Sequence, residues 1–138
     1  MARVYDDLFV PTLFGRFSQK VAESASIGPA DAVLDVACGT GALTRKLRRR
    51  TTGRVVGLDA NPAMPAVADA HGGVIEYIEG DATALPFLDR VFAAATCRFG
   101  LMFMPDPGRA LAEMGRVAGG GNVAVWDAIE RSSGYSAM

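Results

Sequence analysis

Three aspartates in this chain close or follow short apolar runs. Asp35 lies within Ala32-Val33-Leu34-Asp35-Val36, Asp59 follows Val55-Val56-Gly57-Leu58, and Asp81 comes shortly after Val74-Ile75-Glu76-Tyr77-Ile78. The first run leads into Ala37-Cys38-Gly39-Thr40-Gly41, a tight loop. Carboxylates placed this way accept hydrogen bonds from hydroxyl and amino groups, each charged bond contributing about 1.5–3 kcal/mol. Asp59 suits the paired hydroxyls of a ribose. Asp35, beside the glycine loop, would repel the pyrophosphate that a helix N-terminus attracts. It suits a ligand carrying an amino group or a positively charged sulfur. The loop also lacks the third glycine of the dinucleotide pattern Gly-x-Gly-x-x-Gly, because Thr44 stands in that place. Both features disfavour a nicotinamide-dependent reductase.

The elements that hold these residues follow from periodicity. Leu13, Phe14, Phe17, Val21 and Ala22 fall on one face of a helix over about Thr12–Ser26. Ile27-Gly28-Pro29 ends it. Ala32–Val36 reads as a buried parallel strand. Ala42–Arg50 reads as a helix whose last turn is basic, which suits the negative end of its dipole. Val55–Leu58 is a second strand, and Asn61-Pro62 opens a further helix. Val74–Ile78 and Val91–Cys97 are the third and fourth strands. A helix starts at Asp106-Pro107 and runs through Val117, with Ala110, Leu111, Met114 and Val117 at helical spacing. A fifth strand over Asn122–Asp127 follows Gly119-Gly120-Gly121. Such alternation predicts an α/β fold, a Rossmann-like doubly wound parallel sheet with helices on both faces. The ligand of such a sheet sits beyond the carboxyl ends of the strands, where strand order reverses. Residues 1–138 read as a single domain, with an arm and helix over 1–26, a βαβ core over 30–127 and a tail over 128–138.

Composition narrows the function classes. In 138 residues, 14 Lys+Arg nearly balance 15 Asp+Glu, for a net charge of −1. That is no field for bulk binding of nucleic acid or a membrane surface. The two cysteines are too far apart for a metal knuckle or disulfide scaffold, and no metal site is expected. No apolar run reaches the length of a membrane span, and the first residues lack a signal peptide's apolar stretch. A cytoplasmic protein is expected. His71, the single histidine, reads as a helix-end residue, and Cys38 and Cys97 as small buried thiols on neighbouring strands.

A ligand with an amino group, a ribose and an adenine, but no phosphate, is S-adenosyl-L-methionine. The sequence resembles the class I SAM-dependent methyltransferases, in particular the small-molecule branch around the ubiquinone and menaquinone enzymes. The resemblance rests on Val33-Leu34-Asp35-Val36-Ala37-Cys38-Gly39-Thr40-Gly41 and Val56-Gly57-Leu58-Asp59. Gly80-Asp81-Ala82-Thr83-Ala84-Leu85-Pro86-Phe87 and Phe99-Gly100-Leu101-Met102-Phe103-Met104-Pro105-Asp106 complete it. It implies that Asp35, Ala37, Gly39 and Gly41 hold the methionine part and Asp59 the ribose, with Ala60 and Met64 beside the adenosine. It further implies that Asp81 meets the adenine amino group with Ala82 as a backbone donor, and that Arg98 and Phe99 lie near the methionine end. Tyr5 resembles a tyrosine that closes over the cofactor.

The implied function is methyl transfer from S-adenosyl-L-methionine to a small-molecule acceptor, with S-adenosylhomocysteine as product. No catalytic base is identified, because no His or Glu is placed for the task. The rival reading is a non-catalytic SAM-binding remnant without a complete acceptor site. The family's Pro-Gly-Gly turn is replaced by Val117-Ala118-Gly119-Gly120-Gly121, and Phe92-Ala93 stands where the family often has Phe-Asp. The chain reads as lacking the family's last two strands. An edge over Val123-Ala124-Val125-Trp126 would then be open to pairing with another chain, which predicts a homodimer.

Overall fold

Val33 and Asp35 face one side of a sheet, Leu34 and Val36 face the other, and all four are buried. That double burial places their strand, β1 (Val33–Val36), at the centre. The structure is a computed structural model that describes residue 7 and residues 15–119 and 121–124. The order is α1 (Gly15–Ser24), β1, α2 (Ala42–Arg48), β2 (Val55–Asp59), α3 (Ala63–Ala70) and β3 (Glu76–Glu79), followed by β4 (Ala94–Arg98), α4 (Pro107–Val117) and β5 (Gly121–Ala124). A 3-10 turn, Leu101–Phe103, links β4 to α4. The five strands are all parallel, in the order β3-β2-β1-β4-β5. Chain order reverses between β1 and β4, as the sequence pattern predicts for a doubly wound sheet.

Each face has its own core. On one, Val21 and Ala22 of α1 and Leu43 and Leu47 of α2 pack with Val33. On the other, Ala110, Met114 and Val117 of α4 pack with Leu34, Val36, Val56 and Leu58. At about 25 cal/mol per Å², each fully buried Val or Leu side chain among these contributes roughly 1.5–3 kcal/mol. Local signals set the helix starts. The Asp106 carboxylate accepts the N–H of Arg109 at 2.9 Å with Pro107 in the first turn of α4. Asn61 Oδ1 likewise accepts the N–H of Ala63 at 3.1 Å at the head of α3.

Several boundaries differ from the sequence pattern. β3 begins at Glu76 rather than Val74, which is 86% exposed. Gly72 and Gly73 both have positive φ, so the chain is still turning there. β4 begins at Ala94 rather than Val91, because Phe92 pairs with Ala118 in an isolated bridge before the strand proper. Leu111 lies outside the buried stripe of α4. Tyr5, Val125 and Trp126 lie outside the described residues, and with them the expected tyrosine over the cofactor and half of the expected dimer edge. Among the described residues no helix is long and apolar enough to cross a membrane.

Candidate functional site

The loops after β1, β2, β3 and β4 converge on a cavity of about 360 Å³, within the usual span of small-molecule pockets, roughly 300–1,000 Å³. Ala37, Cys38 and Gly39 contribute from the first loop, with Leu58, Asp59, Ala60 and Met64 from the second. Gly80, Asp81, Ala82 and Thr83 form the third wall, and the fourth runs from Arg98, Phe99 and Gly100 to Phe103, Met104 and Pro105. Nine of the residues singled out from the sequence therefore meet in one cavity: Ala37, Gly39, Asp59, Ala60, Met64, Asp81, Ala82, Arg98 and Phe99.

Asp35 and Gly41 are not in that wall. The alternation of β1 turns Asp35 toward α2, where its carboxylate is buried and accepts Thr44 Oγ1 at 2.7 Å and Thr96 Oγ1 at 3.0 Å. There it ties α2 to β4 beneath the loop. Burial pushes its pKa up to about 6, against the lowering effects of those hydroxyls and of the Arg98 charge. Gly41 opens α2 at φ 81°. A Cβ there would strike the Tyr77 hydroxyl and approach Ala68.

Asp59 joins two loops. Its Oδ2 accepts the N–H of Gly39 at 2.9 Å and its Oδ1 the N–H of Asn61 at 2.9 Å. Asp81 is exposed, and both of its hydrogen bonds fall on Oδ1, from the Thr83 N–H at 2.8 Å and the Thr83 hydroxyl at 2.7 Å. These bonds, the backbone one first, hold its carboxyl below the usual range. Across the cavity, Ala37 and Phe99 both take positive φ, 55° and 56°. Such backbone is uncommon outside glycine and clusters at functional sites. The Arg98 guanidinium lies 5.7 Å from the Phe99 ring centroid. A Cβ on Gly100 would overlap that of Ala37, so the loops after β1 and β4 touch at the switch point.

Cys38 and Cys97 are free and buried, and burial is the main cause raising both thiol pKa values, that of Cys97 to about 11. Among the described residues no group of three or more His, Cys, Asp or Glu could hold a metal ion. Sequence reasoning missed Thr83, Gly100, Phe103 and Met104 as cavity residues. Thr83 carried a local signal, since Asp-x-Thr forms a side-chain turn, and all four lie in the stretches that carry the family resemblance.

Sheet order, switch point and acid-flanked cavity define a doubly wound α/β ligand-binding domain. A sequence pattern described as "Methyltransferase domain" matches residues 33–121, and the chain belongs to the class I SAM-dependent methyltransferase family. It is similar to the 2-phytyl-1,4-naphtoquinone methyltransferase of Thermosynechococcus vestitus, 38% identical over 136 residues, covering 92% of this chain and 60% of that protein. It is also similar to the demethylmenaquinone methyltransferase of Thermus thermophilus, 43% identical over 99 residues, covering 67% of this chain and 45% of that one. The chain thus spans about half the length of the curated relatives it matches. Among solved structures, that of the (4+2)-cyclase SpnF superposes with a TM-score of 0.71 at 28% identity, covering 76% of this chain and 41% of that chain.

Proposed function

We propose that the cavity binds S-adenosyl-L-methionine and that the protein transfers its methyl group to a small-molecule acceptor of the quinone type. The observation that carries this reading is Asp59, held in the cavity wall by the glycine loop on one side and Asn61 on the other. A carboxylate has about four acceptor sites, and two are in use. Capacity therefore remains for the two hydroxyls of a ribose. Asp81 and Ala82 offer an acceptor and a backbone donor for the adenine, and Ala60 and Met64 an apolar flank. Ala37, Gly39, Arg98 and Phe99 line the methionine end. Asp35 and Gly41 act from outside the wall, by fixing α2 and the loop it follows.

Bound there, the cofactor supplies an electrophilic methyl group on a sulfonium, so the chain's own task is alignment. Well-oriented encounters can provide about 7–11 kcal/mol of a barrier. No base is assigned, because neither His nor Glu stands among the described cavity residues. The similarity to quinone methyltransferases supports the acceptor class, and two free buried cysteines fit a reducing, cytoplasmic setting.

A second reading, cofactor binding without methyl transfer, draws support from the likeness to a protein described as a cyclase. Calorimetric titration with S-adenosylhomocysteine and with NADH tests the binding, and S-adenosylhomocysteine alone is expected to bind. Transfer of labelled methyl to a panel of demethylated naphthoquinols separates the two readings.

A further inference from the structure

The crossover from Gly80 to Ala93 contains no helix among its described residues, so its backbone groups need partners from elsewhere. Some are other backbone groups, and three side chains on one face of α4, Arg109, Glu113 and Arg116, supply more. Arg116 donates to the carbonyls of Leu85 at 3.0 Å and Phe87 at 2.8 Å, and to Asp89 at 2.8 Å. Glu113 accepts the N–H of Leu85 at 2.8 Å and pairs with Arg116. Arg109 Nε donates to the carbonyl of Thr83 at 3.1 Å. Its own N–H is the one capped by Asp106.

The three do not hold equivalent parts. Arg116 and Glu113 grip residues 85–89, away from the cavity wall. Arg109 grips Thr83, which lines the cavity and gives both its N–H and its hydroxyl to Asp81 Oδ1. Asp81 is exposed, so packing does not fix its orientation. Thr83 is its tether, and Arg109 is the tether of Thr83.

We infer that Arg109 is a positioning residue of the ligand site, acting through Thr83 to aim the free oxygen of Asp81 into the cavity. The inference rests on the reading of that cavity as an S-adenosyl-L-methionine site. It assigns a binding role to a surface arginine that touches no ligand, and a stability role to its neighbour Arg116.

The test is titration of the full chain with S-adenosylhomocysteine, alongside thermal unfolding and NMR titration of the Asp81 carboxyl. Arg109→Met keeps the aliphatic stem and removes the donor. It is expected to weaken binding about three- to ten-fold, the loss of one hydrogen bond, with the unfolding midpoint at the parent's value. The Asp81 pKa should rise toward the ordinary carboxylate range in the ligand-free protein. In an Asp81→Ala background, which has no side-chain acceptor for Thr83, the same change should cost nothing further. Thr83→Val, which removes the hydroxyl donor, should reproduce the weakening should Arg109→Met fold poorly. Parent-like binding by both variants, or a penalty that persists undiminished with Asp81→Ala, overturns the positioning role and leaves the cavity assignment intact. Failure of the parent chain to bind S-adenosylhomocysteine overturns both.

Discussion

Asp59 Oδ2 accepts the backbone N–H of Gly39 at 2.9 Å, so the acid that ends β2 also fixes the glycine loop that follows β1. The same carboxylate holds Asn61, which stands just before Pro62, the N-cap of α3, and whose side chain accepts the N–H of Ala63. Asp59→Ala should therefore act twice. Affinity for S-adenosylhomocysteine should fall at least ten-fold, about what one charged hydrogen bond contributes. The unliganded protein should also unfold earlier, because two N–H groups lose their acceptor. Asp59→Asn should retain part of each. Calorimetry with parallel thermal melts checks the pair of effects.

Gly41 sits at φ 81° with the Tyr77 hydroxyl where its Cβ would go. Gly41→Ala should destabilise by at least the roughly 1–2 kcal/mol of a left-handed residue with a Cβ. Adding Tyr77→Phe should relieve the contact with the hydroxyl, while those with the ring and Ala68 and the backbone strain remain. Chemical denaturation of the single and double variants distinguishes the two contributions.

At the switch point the clash of a Gly100 Cβ with Ala37 suggests a compensating pair. Gly100→Ala should lower both stability and ligand affinity, since both loops line the cavity. Ala37→Gly in the same chain should restore much of the loss and relieve the positive φ at position 37. Unrestored binding in a restabilised double variant would point to a direct role for the Ala37 methyl.

Burial raises the Asp35 pKa to about 6 from an ordinary 3.8. Between those values the folded chain binds a proton that the unfolded chain has released. Stability therefore falls as pH rises through that window, by about 3 kcal/mol at most, and is level above it. Asp35→Asn should remove this component. The difference between parent and variant, followed by urea unfolding from pH 4 to pH 7, isolates it from the opposite trend of Glu113, whose pairing with Arg116 lowers its pKa to about 2.

Both thiols are buried and raised by that burial. A thiol reagent at pH 8 should find neither Cys38 nor Cys97 in the folded protein and both after denaturation. Fast labelling of Cys38 in the native state would mean that the cavity it lines opens more widely than the structure shows.

The fold was legible where short-range chemistry is decisive. Asp106-Pro107 marks the start of α4 because a cap and a fixed φ act within one turn. β3 was misplaced by two residues because Val74 and Ile75 are apolar without being paired, and hydropathy does not report where a ladder begins. Leu111 has helical spacing yet lies exposed, since a single sheet face buries a narrow stripe. At the site, Asp59 and Asp81 were legible as strand-end acids. Asp35 is close to the loop in sequence, but the strand's period of two turns its side chain toward α2, a placement that composition does not report. An aromatic and Met cluster such as Phe103 and Met104 more often packs a core; here the 3-10 turn after β4 brings both to the cavity.

The central place of β1 also fixes the order in which the cavity can come into being. Gly39 and Asp59, which tie β1's loop to β2's, are 20 residues apart in the chain, whereas Asp35 and Thr96, which join β1 to β4, are 61 apart. Closing the longer loop is the slower search and belongs to the high-contact-order part of folding. The wall formed by Arg98, Phe99 and Gly100 exists only after that closure, so a half-assembled sheet offers no complete pocket. A ligand of this cavity therefore acts as a latch on the finished chain: it slows unfolding and leaves the rate of folding untouched.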